Sequence, residues 1–351
     1  MNTRGIGQWP ARLGDEGPSS SRLAPLASSS LTACLPAGYA GAVTNVRMFA
    51  MCCALLSTCA ASDAPPLPTF SIATYNLENY LDLPAGHRRP KSDSSKAAIR
   101  ENVRALKPDV IALQEIGGTN ALLELRASLK SEGLDYPHWE MVNGFDTNIH
   151  VAVLSRFAFV GSRPHTDEAF LLGGRKFRVS RGFVEVDVRV SDRYAFTLIA
   201  THLKSRREVP EADEAELREK EATILHGIIE ARLTANPDMN LVVLGDFNDL
   251  KDSRAVKTIL GRGKDALIDI RPVERTGDAP DKAAPGVPPR SVAWTYYFAK
   301  DDTYSRIDYI LLSRGMSREW QREGTYVLAL PEWGVASDHR PLFATFVAED
   351  R

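Results

Sequence analysis

Residues 336–346, ASDHRPLFATF, place four polar side chains directly ahead of an apolar segment near the carboxyl end of the chain. The four are Ser337, Asp338, His339 and Arg340. The segment that follows, PLFATFVA, is rich in apolar and aromatic residues, which predicts a buried strand. A charged cluster at the mouth of one strand is common in loops, so its meaning depends on where the other strands end.

Five other strand-like segments also carry polar residues at one end. These residues are Asn76 and Glu78 in FSIATYNLENY, Gln114 and Glu115 in DVIALQE, Thr201 and His202 in YAFTLIATHLKS, Asp246, Asn248 and Asp249 in NLVVLGDFND, and Arg306 and Asp308 in SRIDYILLS. One polar strand end is an ordinary loop feature, but six of them predict convergence. Carboxylates gathered in a low-dielectric place raise one another's pKa unless a cation or hydrogen-bond donors compensate. A hard divalent cation is the simplest compensation, because oxygen ligands suit Mg²⁺, Mn²⁺ or Ca²⁺.

Helix-like segments alternate with these strands. In SSKAAIRENVRALKPD, Ile99, Val103 and Leu106 recur at helical spacing, a serine can cap the first turn, and Pro108 stops the helix. EAELREKEATILHGIIEARL is a longer amphipathic segment of the same kind. The chain therefore alternates strands and helices, and no internal repeat is visible.

Six segments, taken in order, resemble the motifs of the endonuclease/exonuclease/phosphatase superfamily, the deoxyribonuclease-I-like proteins. They are TYNLEN, PDVIALQE, ATHLKS, LGDFND, SRIDYILLS and SDHRPL. Each motif is weak alone, but six in the family's order and approximate spacing extend the resemblance over residues 68–348. The resemblance implies a fold of the α/β (α+β) class: a four-layer α-β-β-α sandwich of two packed mixed sheets, with the site where strand-terminal loops meet.

The resemblance implies a divalent metal on one side of this site. Glu115 matches the family's principal metal ligand, and Asp338 would complete the metal shell. Glu78 stands where a further acidic contact sometimes occurs, and an exposed loop carboxylate is its equal alternative. The implied metal is Mg²⁺ or Mn²⁺, with Ca²⁺ as an alternative. Ser337 and Arg340 are interpreted as residues that hold the loop.

The other side of the site is implied to bind and attack the phosphate. Asn76 resembles the family residue that contacts the scissile phosphate or holds the metal site together. Asp246 resembles the group that orients or deprotonates the attacking water, and Asn248 resembles the amide that positions water and phosphate. An ordinary Asx-turn is the structural alternative for GDFND.

Two histidines and one arginine complete the implied phosphate site. His339 resembles the histidine that contacts the phosphate, and Asp308 behind it would fix its tautomer and favour its cationic form. His202 resembles a second phosphate-contacting histidine, suited to stabilising charge or protonating the leaving oxygen. The alternative for His202 is a structural histidine that is buried in the core with its hydrogen bonds made there. Arg181 resembles a substrate-binding arginine near the phosphate, and a surface salt bridge is its alternative.

The chain ahead of the matched region has a different composition. Residues 1–47 are rich in Ser, Ala, Gly and Pro and lack strand or helix periodicity, so we expect an unstructured leader or a mis-extended N-terminus. Residues 48–60 form an apolar segment, shorter than the roughly 20 residues of a membrane-spanning helix and typical of a secretory signal. Residues 61–67 are a linker to the domain at 68–348. We therefore expect an exported protein, periplasmic or extracellular.

Cysteine placement agrees with this division. All four cysteines, Cys34, Cys52, Cys53 and Cys59, precede the matched region. We therefore expect no disulfide, thiol nucleophile or Cys-based zinc site in the domain. The segment LSTC also resembles a bacterial lipoprotein signal, in which Cys59 would carry a lipid anchor, although its threonine is atypical. Simple cleavage or retention of the segment is the alternative.

Charge and export restrict the expected substrate. From residue 61 onward the chain carries 39 Lys and Arg against 43 Asp and Glu, a balance that does not favour tight, non-specific DNA binding. The resemblance implies metal-dependent hydrolysis of a phosphoester by in-line attack of water. We expect an exported nuclease or phosphodiesterase with nucleic acid as substrate, because export argues against intracellular repair.

Two alternatives stay open. One is a phosphatase or phospholipase C that acts on phospholipid or inositol phosphate, as sphingomyelinases and inositol phosphatases do. The other is a non-catalytic binding module that kept the fold, which the intact polar set disfavours. The segments expected to decide specificity are the unmatched loops 84–95, 163–178 and 274–300. Trp294, Tyr296 and Tyr297 either stack a base or lipid or cover the core. No obligate protein partner is indicated, and a monomer is expected.

Overall fold

Residues 67–276, 279–280 and 293–351 are described by a computed structural model of the chain. The helices in this part are α1 (Asp93–Leu106), α2 (Thr119–Ser131), α3 (Glu214–Ala235), α4 (Arg254–Leu260), α5 (Arg314–Glu319) and α6 (Trp333–Ala336), with a 3₁₀ turn at Gly263–Asp265. Helix α1 begins after a serine cap, since the side chain of Ser92 accepts the backbone N–H of Ser95. It ends two residues before Pro108, as its sequence predicts.

The strands are β1 (Thr69–Tyr80), β2 (Val110–Ile116), β3 (His138–Val142), β4 (His150–Ser155), β5 (Ala158–Ser162), β6 (Ala169–Leu172), β7 (Arg175–Arg178), β8 (Phe183–Ser191), β9 (Tyr194–His202), β10 (Leu241–Asp246), β11 (Ile268–Asp269), β12 (Val273–Thr276), β13 (Ala279–Pro280), β14 (Tyr296–Phe298), β15 (Thr303–Ser305), β16 (Asp308–Leu312), β17 (Trp320–Leu328) and β18 (Leu342–Val347). Among the described residues, eight of these strands form one sheet, in the order β13-β12-β17-β18-β1-β2-β4-β3. Six form a second sheet, in the order β11-β16-β10-β9-β8-β5. Both sheets are mixed, because β1 with β2 and β9 with β10 are parallel pairs whereas β1 with β18 and β10 with β16 are antiparallel. The hairpins β6-β7 and β14-β15 stand apart from both sheets.

Three apolar cores hold four layers together. The central core lies between the sheets and joins Phe70 of β1 to Leu198 of β9. A second core packs α1 and α2 on the outer face of the eight-stranded sheet, and a third packs α3 and α4 on the outer face of the six-stranded sheet. Burying one face of each helix and both faces of each sheet gives the predicted four-layer α-β-β-α sandwich. The predicted fold class is therefore confirmed.

The inner faces of both sheets change from apolar to polar toward one end. On β9, Leu198 and Ala200 enter the central core, and His202 follows at the same spacing of two. On β10, Leu244 enters the core and Asp246 follows. Successive residues of a strand point to opposite faces, so His202 and Asp246 also point between the sheets.

Gly245 brings β10 close to β9 immediately before this polar end. Its φ is 134°, and a Cβ atom at this position would lie 1.9 Å from the backbone oxygen of Thr201. A larger residue would therefore push the two strands apart. The glycine of LGDFND thus sets the spacing at which Asp246 stands beside His202.

A buried carboxylate ties β8 to α3 away from the polar end. Glu185 is fully buried and accepts hydrogen bonds from Nε of Arg163 at 2.6 Å and Nε of Arg232 at 2.7 Å. Nε2 of His165 lies 2.8 Å from its other oxygen. Burial alone would raise the pKa of Glu185, but these three donors outweigh burial and lower it to about 2.

Replacing Glu185 with glutamine is expected to lower the free energy of unfolding at neutral pH by about 2 kcal/mol, a value reduced for solvent screening at the two arginines. The folded-state pKa lies below the ordinary value of 4.5, so the stabilisation is present above that pH and lost as the pH falls toward about 2. Urea unfolding of the two proteins across this range would show their free-energy difference shrinking. A difference that does not change with pH would contradict the lowered pKa.

Several sequence predictions concern residues outside the described part of the chain. The leader (1–47), the signal-like segment (48–60) and residues 61–66 of the linker all lie there, as do 277–278 and 281–292 of the unmatched loop 274–300. Export and lipidation of Cys59 therefore stay predictions. Among the residues that are described, no helix is long and apolar enough to cross a membrane.

Candidate active site

The polar ends of the two sheets face each other. Asp246 pairs in register with His202 on one side and Asp308 on the other. In the opposite sheet, Asn76 pairs with Gln114. Nδ2 of Asn76 donates to Oδ2 of Asp246 at 3.0 Å, so one hydrogen bond joins the two sheets at this point.

Asp246 is buried at the centre of the site, with 1% of its surface exposed. Its Oδ1 accepts the backbone N–H of Asn248 at 2.7 Å. Burial raises the pKa of Asp246 to about 7, while the charge of His339 opposes the rise and Asp308 adds to it. This bond to Asn248 forms an Asx-turn, which is the structural alternative for GDFND. The other oxygen of Asp246, Oδ2, nevertheless lies 3.4 Å from Nε2 of His202. One carboxylate thus both closes a turn and faces the site.

His339 has a carboxylate behind it and Asp246 in front. Its Nδ1 donates to Oδ2 of Asp308 at 2.9 Å, and its Nε2 lies 3.8 Å from Oδ2 of Asp246. Burial alone would lower the pKa of His339, but Asp308, Asp246 and Asp338 outweigh burial and raise it to about 10. The imidazole is therefore cationic at neutral pH, and Asp308 lies where the sequence places it. The ring of Tyr296 packs against it, with centroids 4.7 Å apart.

His202 lies on the other side of Asp246 and is 2% exposed. Its Nε2 lies 3.4 Å from Oδ2 of Asp246 and 4.0 Å from Oε1 of Glu115. Burial lowers the pKa of His202 well below its ordinary value, and the positive charges of Arg181 and His339 act in the same direction. A neutral imidazole can donate a hydrogen bond to a phosphate oxygen, whereas protonating a leaving oxygen would require the imidazolium.

Glu115 occupies a β-bulge that turns its side chain toward the site. The register with β4 shifts between Gln114 and Ile116, and Glu115 takes a left-handed φ of 59°. Its Oε2 accepts the backbone N–H of Asn79 at 3.1 Å and a hydrogen bond from Nη1 of Arg88 at 3.3 Å. In a regular strand, Glu115 and its neighbour Gln114 would point to opposite faces. The bulge explains why both can point toward the site.

Left-handed backbone conformations concentrate around the site. Seven non-glycine residues of the described part have positive φ, and four of them are Glu78, Asn79, Glu115 and Asn248. Asn248 uses this conformation to donate from Nδ2 to the backbone oxygen of Leu203 at 3.0 Å. Such conformations cost on the order of 1–3 kcal/mol each and cluster at sites where the surrounding structure fixes functional side chains. The strain supports a functional role for this end of the sandwich.

Glu78 and Asp338 form the open edge of the site. Oε2 of Glu78 accepts the backbone N–H of Asp338 at 3.3 Å and a hydrogen bond from Nζ of Lys91 at 2.9 Å. Burial raises the pKa of Asp338 to about 7; His339 opposes the rise, and Glu78 and Glu115 add to it. The side chains of Glu78 and Asp338 are 41% and 36% exposed, so a ligand can reach them.

Glu78, Glu115 and Asp338 are the metal ligands that the family resemblance implies, and this assignment stays a prediction. They supply only oxygen ligands, which Mg²⁺ and Mn²⁺ prefer. Burial contributes most to the raised pKa of Asp338, the charges of Glu78 and Glu115 add to it, and a cation beside Asp338 would lower it. Basic side chains already neutralise two of the three, since Arg88 pairs with Glu115 and Lys91 with Glu78.

A second group within the described residues could hold a metal. One ligand atom from each of Asp246, Asp308 and His339 lies within 4.8 Å of the others. Glu78, Glu115 and Asp338, although all described, do not bring three ligand atoms this close together, so a metal shared by these three stays a prediction.

Arg181 lies behind His202 and is 4% exposed. Its Nη1 donates to the backbone oxygen of Leu203 at 3.0 Å, and its Nε lies 3.6 Å from Oδ2 of Asp146. Arg181 does pair with an acid, as the salt-bridge alternative predicts. That alternative expects a surface position, however, and the guanidinium is buried. Contact with substrate stays a prediction for this residue.

Ser337 and Arg340 hold the loop that carries His339. Oγ of Ser337 donates to the backbone oxygen of Asn76 at 2.8 Å. Nε of Arg340 donates to the backbone oxygen of Trp294 at 3.2 Å, and the guanidinium stacks 3.3 Å from the centroid of that ring. Both residues therefore have the structural role expected of them.

The aromatic residues of the last unmatched loop have separate surroundings. Trp294 covers the buried Arg340, Tyr296 packs against His339, and Tyr297 stacks on Tyr304 with centroids 4.7 Å apart. Of these three, Tyr296 is the one that borders the site.

Sequence patterns do not single out two residues that the structure places at the site, and they name a third, Gln114, as a polar strand end without giving it a role. Arg88 and Lys91 pair with the metal-side acids, and the one signal for them is their positive charge in an unmatched loop. Gln114 is fully buried and faces inward beside Asn76. The alternation of β2 could have identified Gln114, because it occupies an inward position in an otherwise apolar strand.

A cavity of about 490 Å³ opens next to the strand end that carries His202. Lys204, two residues after His202, is part of its wall, together with Phe145, Phe177 and Lys176. Phe145 is 68% exposed. The cavity therefore combines aromatic surface with basic side chains, and Glu211 and Glu221 are also part of its lining.

The chain matches the sequence model of the Endonuclease/Exonuclease/phosphatase family over residues 73–339. No curated protein sequence matches it.

Solved structures share the fold at low sequence identity. Truncated TDP2 of Caenorhabditis elegans has a TM-score of 0.54 at 17% identity, over 80% of this chain and 98% of that one. An endonuclease/exonuclease/phosphatase from Bacteroides vulgatus has a TM-score of 0.54 at 15% identity, over 80% of this chain and 100% of that one. The 3′ phosphatase NExo from Neisseria, bound to product DNA hairpin, has a TM-score of 0.51 at 18% identity, over 79% and 99%.

Proposed function

This chain belongs to the endonuclease/exonuclease/phosphatase family, and from that premise we propose that it is an exported nuclease or phosphodiesterase. Family membership makes it a phosphoric ester hydrolase. The nucleic-acid substrate, the export and the residue roles below are the proposal. The observation that carries it is the constellation around Asp246, whose Oδ2 lies 3.0 Å from Nδ2 of Asn76 and within 3.8 Å of Nε2 of both His202 and His339.

The metal side of the site consists of Glu115, Asp338 and Glu78. Their oxygen atoms would hold Mg²⁺ or Mn²⁺, with Ca²⁺ as an alternative. A bound ion there neutralises the charge of the non-bridging and leaving oxygens of the phosphoester.

Asp246 prepares the attacking water. One oxygen is fixed by the backbone N–H of Asn248, which leaves Oδ2 to accept a proton from a water held in line with the scissile bond. Asn76, which donates to that same oxygen, keeps the carboxylate aimed into the space between the sheets. The side chain of Asn248 helps to position the water and the phosphate.

The two histidines stabilise the charge that develops on the phosphate. His339 offers Nε2–H while Asp308 holds Nδ1–H, so the ring is fixed in one orientation. His202 offers a second Nε2–H from the opposite side of Asp246. Donors that are in place before the reaction pay no reorganisation cost at the transition state. Arg181 adds positive charge behind His202.

The aromatic and basic cavity supports nucleic acid as the substrate. Phe145 and Phe177 can stack a base that flanks the scissile phosphate, and Lys176 can contact the next phosphate. Local contacts of this kind do not require a basic protein overall.

A phosphatase or phospholipase C acting on phospholipid or inositol phosphate is the second candidate. Leu171 at the tip of the β6-β7 hairpin is 69% exposed, and Arg175 and Lys176 lie on the paired strand. An exposed apolar residue flanked by cations suits an anionic lipid surface. The non-catalytic alternative is not retained, because the chain is a phosphoric ester hydrolase.

Export rests on the apolar segment at 48–60. Mass spectrometry of the protein recovered from the periplasm or medium of a bacterial culture tests it. Cleavage near residue 60, or a lipid on Cys59, supports export, and a full-length cytoplasmic chain contradicts it.

The substrate is tested by incubating supercoiled plasmid with the protein and Mg²⁺ or Mn²⁺. We expect nicking that EDTA abolishes, and we expect Glu115→Gln to raise the half-saturating Mn²⁺ concentration at least ~10-fold, because a neutral amide replaces the anionic carboxylate. Glu101→Gln, an exposed change on α1, is the control and should leave this concentration unchanged.

Two other outcomes distinguish the candidates. Release of phosphate or a head group from inositol phosphate or sphingomyelin without nicking moves the substrate to the second candidate. If the protein with metal hydrolyses none of these esters, the proposed function is contradicted.

A further inference from the structure

Several buried polar atoms near the site have no hydrogen-bond partner among the described residues, and two of them lie on the contacting strands β2 and β9. These two are Nε2 of Gln114 and Nδ1 of His202. Their residues are 0% and 2% exposed. Leaving a buried donor or acceptor unpaired costs about 1–3 kcal/mol, so a partner or an ordered water is expected at each atom.

The topology places the strands that carry these two atoms against each other. Gln114 pairs with Asn76 in one sheet, and His202 pairs with Asp246 in the other, both in parallel register. Asn76 is bonded to Asp246 across the gap, and the strands of the other two residues, β2 and β9, also lie against each other. Gln114 and His202 therefore occupy equivalent positions beside the bonded pair of Asn76 and Asp246.

The hydrogen-bonding capacities of the two atoms are complementary. Oε1 of Gln114 already accepts the hydroxyl of Thr74 at 3.2 Å, which leaves its two N–H groups as donors. Nε2 of His202 lies 3.4 Å from Oδ2 of Asp246, an acceptor, and so carries the proton. Nδ1 of a neutral imidazole protonated on Nε2 is an acceptor. An unpaired donor and an unpaired acceptor thus lie on two strands that are in contact.

We propose that Gln114 is a positioning residue for His202. Its amide N–H donates to Nδ1, directly or through one buried water, and holds the imidazole as the Nε2–H tautomer that points at Asp246. A buried water is compatible with the polar lining at this point. The tautomer follows from the contacts alone, whereas its consequence for turnover rests on the proposed function.

The role resembles that of Asp308 behind His339, with one chemical difference. A carboxylate accepts Nδ1–H and favours a cationic ring, whereas an amide N–H donates to Nδ1 and favours a neutral one. The two histidines would then face the same phosphate in two different protonation states, each set by the residue behind it.

The test is the ¹⁵N spectrum of the full-length protein with labelled histidine, because nitrogen shifts report which ring nitrogen carries the proton. His202→Gln identifies the signals of His202. We expect wild-type His202 to be protonated on Nε2, and Gln114→Glu to move the proton to Nδ1, since a carboxylate accepts where the amide donated. Protonation of the wild-type ring on Nδ1, or an unchanged tautomer in Gln114→Glu, would overturn the proposal.

Turnover provides a second readout. We expect Gln114→Leu to lower kcat about 10- to 100-fold with KM changed less than about twofold, the size typical of losing the partner behind a functional histidine. Thr201→Val is the matched control, because it removes a neighbouring buried hydroxyl that also lacks a partner. It should keep both the Nε2–H tautomer and the activity. If no substrate is turned over, the spectrum still decides the assignment, so failure of the proposed function and failure of this inference are distinguishable.

Discussion

Asparagine in place of Asp246 lowers kcat by about 10³-fold or more while the protein stays folded. The amide has the same shape and can still accept the backbone N–H of Asn248, but it cannot take a proton from water. Steady-state hydrolysis of plasmid DNA and of an activated phosphodiester measures the loss, and circular dichroism with urea unfolding confirms the fold.

Stability separates this effect from unfolding. The amide removes a buried charge but places an NH₂ group opposite Nδ2 of Asn76, which is also a donor, so we expect the free energy of unfolding to fall by about 1–3 kcal/mol with the protein still folded. Asp252→Asn is the control, since that side chain is 73% exposed in the nearby turn, and it should keep kcat within about twofold. A folded Asp246→Asn protein that retains a tenth of the wild-type kcat would refute the role given to this carboxylate.

Alanine in place of His339 lowers kcat by about 10³-fold, and Asp308→Asn lowers it by about 10²-fold. His339 supplies a charged donor to the phosphate, and Asp308 fixes its tautomer through the 2.9 Å bond to Nδ1. Because Asp308 acts through the imidazole, the double variant should be no slower than His339→Ala alone. Single-turnover rates with KM measured separately provide the comparison, and the loss should appear mainly in kcat.

Strict additivity of the two losses would contradict this arrangement, because it would mean that Asp308 acts independently of the ring. His138→Ala is the control histidine variant. His138 lies on the edge strand β3, away from the polar ends of the inner faces, and its removal should leave kcat within about twofold.

Much of the fold and the candidate site can be predicted from local patterns. Strand alternation places an inward polar residue after an inward apolar one at His202 and Asp246, and this follows from a period of two without knowledge of any neighbour. The four layers are implied by the resemblance of the ordered motifs to the family. The motif residues do gather at one end of the sandwich, although their individual roles stay predictions.

Other features have no local signal. The pairing of Arg88 with Glu115 joins a loop to a bulge, and the bulge itself depends on how β2 aligns with its neighbours. Gln114 is polar at an inward position, which the chain shows, but its relation to His202 depends on the second sheet. Sequence reasoning therefore assigns Gln114 no role.

Side-chain order along the chain decides which face of a strand each residue occupies, and the packing of the two sheets decides which faces meet. Asn76 reaches Asp246 across 170 positions, and His202 and His339 acquire opposite pKa shifts although the same residue type stands at both places. The physical reason is that hydrogen-bond and Coulomb energies depend on distance in space and on burial. Separation along the chain determines neither the distance in space nor the burial.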